Sequence, residues 1–220
     1  MKQYKSKNII IFLENLFKVA THSMKSSKQH YRRSKICLRI LSALSLMLLV
    51  SSHSFAAGSY TVEIHKSDRV MLIKKNHVLR KTYRIASGSG GVGNKTHRGD
   101  KKTPTGVYQI MYFKDDSRFH VFMQLNYPNA KDALDGLKHE TINKDEFGMM
   151  INSLKRNRMP DQDTDLGGAI GIHGIGNETE DRLALHKDEN WTKGCIAMRN
   201  KEIEELRRFV KIGTTVLIFD

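Results

Sequence analysis

The sequence predicts a mostly β domain, of the sandwich or barrel-like kind, with a few helices at its periphery. Three observations support this prediction. Short apolar runs recur through the first half of the chain, a glycine-rich polar stretch interrupts them, and two amphipathic helical patterns appear only in the second half. The chain shows no internal repeat and no low-complexity tract. One globular domain therefore accounts for the pattern.

The strand predictions rest on alternation and on the turn residues between runs. Residues 60–64 alternate apolar and polar side chains, as a half-buried strand does. The other strand-like runs are 70–73, 78–85, 106–112, 119–127, 169–172 and 215–219. Lys75-Asn76 predicts a hairpin turn between two of these runs. Residues 87–104 predict a long loop, and loops of that length are usually functional or disordered.

Two helices are predicted from caps and apolar spacing. The first begins after Asn143, which forms a capping box with Glu146. Its apolar stripe consists of Phe147, Met150, Ile151 and Leu154. The second begins with Asn200 as its N-cap and ends before Gly213. Its acidic residues come early and its basic residues late, an order that complements the helix dipole.

Residues 1–57 are predicted to be an N-terminal extension and a secretory signal peptide. Translation is expected to start at Met24, which gives the signal ordinary proportions. A basic region precedes an apolar core over 40–50, and Ser54-Phe55-Ala56 has the small-x-small pattern of a cleavage site. The core is shorter than the ~20 residues that span a bilayer, so cleavage is predicted and no membrane span is expected afterwards. Residues 58–220 would then be a periplasmic domain.

The charge of the chain is concentrated in this predicted leader. The whole sequence carries a net charge of +14, which alone would suggest nucleic acid or anionic lipid as a partner. The leader holds ten of the 37 basic and one of the 23 acidic residues, which leaves +5 on residues 58–220. No nucleic-acid partner is therefore expected. Cys37 leaves with the leader, so no disulfide can stabilise the domain.

Cys195 is the one cysteine outside the predicted leader, and a lone thiol in an oxidising compartment suggests chemistry. A thiol with a pKa of about 8.5 is mostly protonated at pH 7, so it needs a base, or an imidazolium that pairs with the thiolate. His173 is the candidate, because it closes the strand-like run 169–172. The carbonyl of Gly174 can orient its ring. Gly194 allows a sharp turn that brings backbone N–H groups towards an oxyanion.

These residues resemble the catalytic signature of a known family. His173-Gly174, a gap of 17 residues, and then Thr192, Lys193, Gly194 and Cys195 resemble the L,D-transpeptidase catalytic domain (YkuD type), in its ErfK/YafK-like branch. Weaker matches are Thr103-Pro104-Thr105-Gly106, Tyr127-Pro128-Asn129, Gly167-Gly168 and Gly213-Thr214. The likeness spans roughly residues 60–220 and implies the fold of that family for the domain 58–220.

The resemblance also implies ping-pong acyl transfer on peptidoglycan stem peptides, without a cofactor or a metal. Cys195 would attack the L-centre carbonyl of meso-diaminopimelate, expel the terminal D-alanine and leave a thioester. The implied acceptors are a second diaminopimelate (a 3-3 crosslink), a lysine of an outer-membrane lipoprotein, or a D-amino acid. Water would instead give an L,D-carboxypeptidase or an amidase that releases lipoprotein. A role in cell shape and acylation by carbapenems are implied as well.

Residues near the motif are predicted substrate contacts. They are Trp191, Thr192, Lys193, Arg199 and His186, the last in a polar stretch that could cover the site. The chain departs from the family at two positions, since many members carry His at position 193 and Arg at position 197. With Lys193 and Ala197 at these positions, the residue that binds the substrate carboxylate is not identified. The two departures favour hydrolysis or an unusual acceptor over ordinary transpeptidation.

Other classes of function stay open from the sequence alone. A non-catalytic peptidoglycan-binding module could keep the fold without turnover, and a lone thiol can also be an inert core residue. A sortase-like enzyme has the same residue order but a wider spacing, and a papain-like peptidase has the opposite order. A metal-dependent hydrolase lacks tight ligand spacing. Its candidate ligands would be His173, His186 and Cys195 with Asp181, Asp188 or Glu189.

Overall fold

The computed structural model describes residues 59–220, without the side chains of residues 116 and 117. The predicted signal peptide, the start at Met24 and Cys37 lie outside the described residues. The strands are β1 Tyr60–His65, β2 Val70–Lys75, β3 Val78–Arg84, β4 Gly106–Ser117, β5 His120–Leu125, β6 Gly171–Gly174, β7 Ile196–Met198 and β8 Thr215–Phe219. The helices are α1 Ala130–Lys138, α2 Lys144–Lys155, α3 Glu180–Asp188 and α4 Asn200–Arg207. The predicted mostly β fold with a few helices is confirmed.

The described strands form one mixed sheet in the order β3-β2-β1-β8-β4-β5-β6-β7. The pairs β1–β8 and β6–β7 are parallel, and the other neighbouring pairs are antiparallel. The chain that leaves β3 returns to the far end of the sheet, where Ala86 and Ala197 exchange two backbone hydrogen bonds of 2.9 and 2.8 Å. The sheet therefore closes on itself in the barrel-like manner expected.

The core fills the inside of this closed sheet. In β1 the alternating residues Val62 and Ile64 have no exposed surface, while their neighbours are half-buried. Helix α4 adds Ile203 and Leu206, which are also fully buried, to the same cluster. Burying a side chain of this size contributes about 1.5–3 kcal/mol. A smaller cluster lies beneath α1 and α2 and consists of Ala133, Ile142, Met150 and Leu166.

The hairpin between β2 and β3 turns at Asn76-His77, one residue later than the predicted Lys75-Asn76. Both turn residues have positive φ, at 51° and 65°. A two-residue turn of the I′ type needs this left-handed pair, and Asn adopts it at low cost.

The long loop after β3 is held by two buried lysines. Lys95 Nζ lies 2.7 Å from Asp100 Oδ1, and both side chains are buried. Burial alone would raise the pKa of Asp100, but hydrogen bonds from Lys95 and from backbone N–H groups keep it below its ordinary value. Lys66 Nζ donates to the carbonyls of Gly93 at 2.8 Å and Thr103 at 3.0 Å. The loop therefore offers a fixed surface beside β7.

The capping box of α2 is confirmed. Asn143 Oδ1 accepts from the N–H of Glu146 at 2.9 Å, and the Glu146 carboxylate accepts from the N–H of Asn143 at 2.8 Å. The predicted cap of α4 is wrong by one residue, since Arg199 is the N-cap and Asn200 is the first helical residue. The side chain of Asn200 is engaged elsewhere, in two hydrogen bonds of 3.0 and 2.6 Å with the backbone of Gly176.

Helices α1 and α3 were not predicted. Helix α1 begins with a capping box of Asn129 and Asp132, the same signal that located α2. Helix α3 is capped by Thr179, but it buries only His186 and so lacks an apolar stripe that periodicity could detect. No helix within residues 59–220 is long and apolar enough to cross a bilayer.

Candidate active site

His173 and Cys195 are carried by neighbouring parallel strands. His173 is the third residue of β6 and is in register with Ala197 of β7, and Cys195 immediately precedes β7. Residues two apart on a strand point to the same face, so positions 173 and 195 lie on one face of adjacent strands. Both side chains line a cleft of about 1020 Å³.

The imidazole of His173 is a neutral base. Its Nδ1 lies 2.7 Å from the carbonyl oxygen of Gly174. Because a carbonyl only accepts, Nδ1 carries the proton and Nε2 keeps a lone pair. The pKa of His173 is lowered to about 4, chiefly by burial; the hydrogen bond to Gly174 raises it, and the charge of Arg118 adds to the lowering. The ring is therefore uncharged at neutral pH.

The thiol of Cys195 is protonated in the same structure. Its Sγ is half-buried and donates to the carbonyl oxygen of Ala169 at 3.3 Å. Burial raises the pKa of the thiol to about 11, although the Gly171 backbone and the charge of Lys95 act in the opposite direction. No thiolate–imidazolium pair is therefore preformed.

The carbonyl of Ala169 reaches the thiol from an unusual backbone conformation. Its φ is 52°, in the left-handed region that a residue with a side chain adopts at a cost of roughly 1–3 kcal/mol. The predicted strand 169–172 is correspondingly too long at its start, because β6 begins only at Gly171.

Two threonine hydroxyls fix the carbonyl of Cys195. Thr192 Oγ1 donates to it at 2.6 Å and Thr103 Oγ1 at 3.5 Å. Thr192 Oγ1 also accepts from the N–H of Gly194 at 3.1 Å. Thr192 was predicted to contact substrate, but its hydroxyl is engaged by the backbone of the nucleophile's own turn. It positions the thiol.

Gly194 has a conformation that excludes other residues. Its φ is 126°, and a Cβ there would lie 2.9 Å from the carbonyl oxygen of Lys102. Its N–H, which the sequence suggested as an oxyanion donor, is bonded to Thr192 Oγ1 in this structure. An oxyanion would have to displace that bond in order to use it.

Three aromatic rings surround the imidazole. Phe119 stacks on His173 with ring centroids 4.2 Å apart, Phe122 lies at 6.4 Å, and Trp191 meets the imidazole edge-on at 6.1 Å. Phe122 arrives there because β5 pairs with β6 in the register Phe122 to His173. This apolar wall removes water from the ring and explains its low pKa.

The rest of the cleft is positively charged. Lys114, Arg118 and Lys193 line it, and none of the described residues in its lining is acidic. Such a surface attracts carboxylates and disfavours protonation of the imidazole.

The profile of one protein family, YkuD, described as the L,D-transpeptidase catalytic domain, matches residues 59–218. The chain belongs to this family. The family that the motif at 173–174 and 192–195 predicted is therefore confirmed, and with it the fold of the L,D-transpeptidase catalytic domain.

The L,D-transpeptidase domain is 26% identical over 164 residues to YafK of Escherichia coli strain K12, covering 72% of this chain and 48% of the relative. The chain thus spans about half the length of the curated relatives it matches. Among solved structures, the helical cell shape determining protein Pgp2 of Campylobacter jejuni is 21% identical, with 75% of this chain and 49% of that one covered and a TM-score of 0.49. The structure of Bd1075 of Bdellovibrio bacteriovorus is 21% identical, with 77% of this chain and 50% of that one covered and a TM-score of 0.47.

Two predicted substrate contacts of the L,D-transpeptidase domain do not reach the cleft. Arg199 and His186 instead line a separate cavity of about 370 Å³. Buried His186 supports the cleft wall from behind, since Trp191 Nε1 donates to its Nδ1 at 3.4 Å. Arg199 follows the end of β7, and its Nε lies 4.0 Å from a carboxylate oxygen of Glu178. The other three predicted contacts, Trp191, Thr192 and Lys193, do line the cleft.

Position 197 is closed to substrate in this L,D-transpeptidase domain. Ala197 has no exposed surface, and its backbone is bonded to Ala86 on the side away from β6. The metal-dependent alternative is not assembled either, because His186 and Cys195 line different cavities. Among the described residues no group of three or more His, Cys, Asp and Glu could hold a metal ion.

Four residues of the L,D-transpeptidase site were missed from the sequence: Thr103, Arg118, Phe119 and Ala169. The first three come from segments more than 50 residues before His173, and only sheet pairing brings them to the site. Thr103 belongs to the weaker family match Thr103-Pro104-Thr105-Gly106, and no local motif marks the other three.

Proposed function

We propose that this chain catalyses cysteine-dependent acyl transfer on peptidoglycan stem peptides. The observation that supports it is one cleft that holds a thiol, a neutral imidazole with a free Nε2 lone pair, and a cationic lining. Stem peptides carry several carboxylates, which suit that lining. The relatives are bacterial proteins, and we propose the periplasm as the location, reached through the signal peptide predicted over residues 24–57.

In the first half-reaction the thiol of Cys195 turns from the Ala169 carbonyl towards His173 Nε2. Nε2 takes the proton as Sγ bonds to the L-centre carbonyl carbon of meso-diaminopimelate. The tetrahedral oxyanion then collapses, and the C–N bond to D-alanine breaks. The imidazolium gives its proton to the departing amine, which leaves a thioester on Cys195 and a neutral imidazole.

In the second half-reaction an amine attacks the thioester, and His173 accepts its proton. Sγ leaves and recovers a proton from the imidazolium. The acceptor can be the side-chain amine of another diaminopimelate, a lysine of an outer-membrane lipoprotein, or a D-amino acid. Water in the same place gives net hydrolysis and makes the chain an L,D-carboxypeptidase.

We expect the rate of acylation to rise with pH through about 4 and to stay level towards neutral pH. Only the neutral imidazole can accept the thiol proton, and the pKa of His173 is lowered to about 4. An ordinary histidine, with a pKa of about 6.5, would already lose activity at pH 6. The measurement is D-alanine release against pH at constant ionic strength, with circular dichroism at each pH as the folding control. A midpoint near 6.5 would contradict a desolvated base.

The function itself is tested with purified sacculi and with a tetrapeptide donor, offered alone, with D-amino acid, and with lipoprotein. Chromatography and mass spectrometry of the muropeptides identify the product. We expect D-alanine release and a new bond from diaminopimelate to one acceptor, or to water. If tetrapeptides remain intact while wall fragments still bind, the chain is a binding module.

A further inference from the structure

The hairpin between β4 and β5 places a cation on the aromatic ring that stacks on the catalytic histidine. The guanidinium carbon of Arg118 lies 4.7 Å from the centroid of the Phe119 ring, and that ring is stacked on His173. Arg118 is exposed and lines the same cleft as Cys195. Its charge acts on His173, since it is one cause of the lowered pKa of that residue.

The guanidinium of Arg118 lies against the Phe119 ring and has no anionic partner among the described side chains. Arg207 pairs with Asp115 and Arg98 pairs with Asp163. Among the described side chains, which do not include those of residues 116 and 117, Arg118 makes no ion pair. Contact with an aromatic face orients a guanidinium without using its N–H donors. Those donors can therefore bind a carboxylate in the two-pronged manner that arginine favours.

The chemistry of the cleft indicates which carboxylate this is. His173 must protonate the departing amine, so that nitrogen has to reach Nε2. In an amino acid the carboxylate is separated from the amine by a single carbon. The carboxylate of the leaving residue therefore lies close to the imidazole, in the cleft that Arg118 also lines.

We propose that Arg118 binds the terminal carboxylate of the acyl donor and thereby selects stems that end in a free D-amino acid. This inference rests on the proposed function. Many family members carry an arginine at position 197, where this chain has the buried Ala197, and Arg118 would supply the missing positive charge. Lys193 is less suited, because it also faces a neighbouring basic cavity with Lys95, Arg98 and Lys101. It is placed for other carboxylates of the substrate.

The test compares two donors, a tetrapeptide with a free C-terminal carboxylate and the same peptide as its C-terminal amide. In the unmodified chain we expect kcat/KM for leaving-group release to be about 10- to 100-fold higher for the acid, as one charged hydrogen-bonded pair warrants. Arg118→Gln should lower kcat/KM for the acid by that factor, mainly through KM, and leave the amide unchanged. Arg118→Lys should keep part of the preference for the acid over the amide. Arg80→Gln is the matched control, because Arg80 is an exposed arginine of β3.

Each outcome decides the question. If Arg118→Gln lowers kcat/KM equally for acid and amide, the arginine only supports Phe119 and His173, and the proposal is wrong. It is also wrong if the unmodified chain uses both donors equally well, a comparison that does not depend on any variant folding. If the unmodified chain releases nothing from either donor and forms no adduct on Cys195, the proposed function itself fails and the carboxylate assignment with it.

Discussion

Replacement of Cys195 by alanine is expected to abolish acyl transfer, with a loss of about 10⁶-fold, the size seen when a covalent nucleophile is removed. No other described side chain can form the thioester, because Cys195 is the only cysteine within residues 59–220. The fold should survive, since the half-buried thiol contacts only backbone groups by hydrogen bonding, with Ala169 as its acceptor. The measurements are D-alanine release and the mass of the intact chain after incubation with a carbapenem.

The mass measurement separates chemistry from binding. Opening a β-lactam ring loses no atoms, so a first adduct adds the whole mass of the carbapenem. We expect that adduct on the unmodified chain and on Cys37→Ser, which removes the other thiol of the sequence, and not on Cys195→Ala. An adduct on Cys195→Ala, or crosslinking of sacculi by it, would overturn the assignment of the nucleophile.

Replacement of His173 by alanine should reduce the rate of acylation by about 10²–10⁴-fold at pH 7. The thiol would then have to ionise into solvent, and with a pKa of about 11 only about one molecule in 10⁴ is a thiolate at that pH. The variant should therefore gain about tenfold in rate for each pH unit from 7 to 9, where the unmodified chain is level. A His139→Ala variant, at the exposed end of α1, is the matched control.

A pH profile of His173→Ala that stays as level as that of the unmodified chain would mean that another group takes the thiol proton. A loss of activity with loss of folding would be recognised by circular dichroism. In that case His173→Gln, which fills more of the space beside Phe119, gives the same comparison.

The sequence predicted the parts of the site that lie close together along the chain. Cys195 follows Thr192 by three residues, and Gly174 follows His173 directly, so each half of the motif is a local pattern. Most strands were predictable for the same reason, because their patterns are visible within five or six residues, whereas the three residues of β7 were not predicted as a strand. The long-range neighbours were not, since Phe119 reaches the imidazole only through the pairing of β5 with β6.

Two predicted contacts lie away from the cleft, for reasons that a local pattern does not show. Arg199 stands four residues after Cys195 and seemed available to substrate, but β7 ends at Met198 and the chain turns into α4 towards another cavity. His186 looked like part of a mobile polar cover. It lies instead in a helix that supports Trp191, and a helix without an apolar stripe leaves no periodic signal.

The closure of the sheet at Ala86 and Ala197 makes the nucleophile depend on the other end of the domain. Strand β7 has only three residues, and one of its two borders is supplied by the chain just after β3. A proteolytic fragment that starts at β4 would retain the entire catalytic motif and still leave one border of β7 bare. Activity should then disappear together with the first hairpin, and adding that hairpin back as a separate peptide is the way to ask whether the two pieces can reassemble.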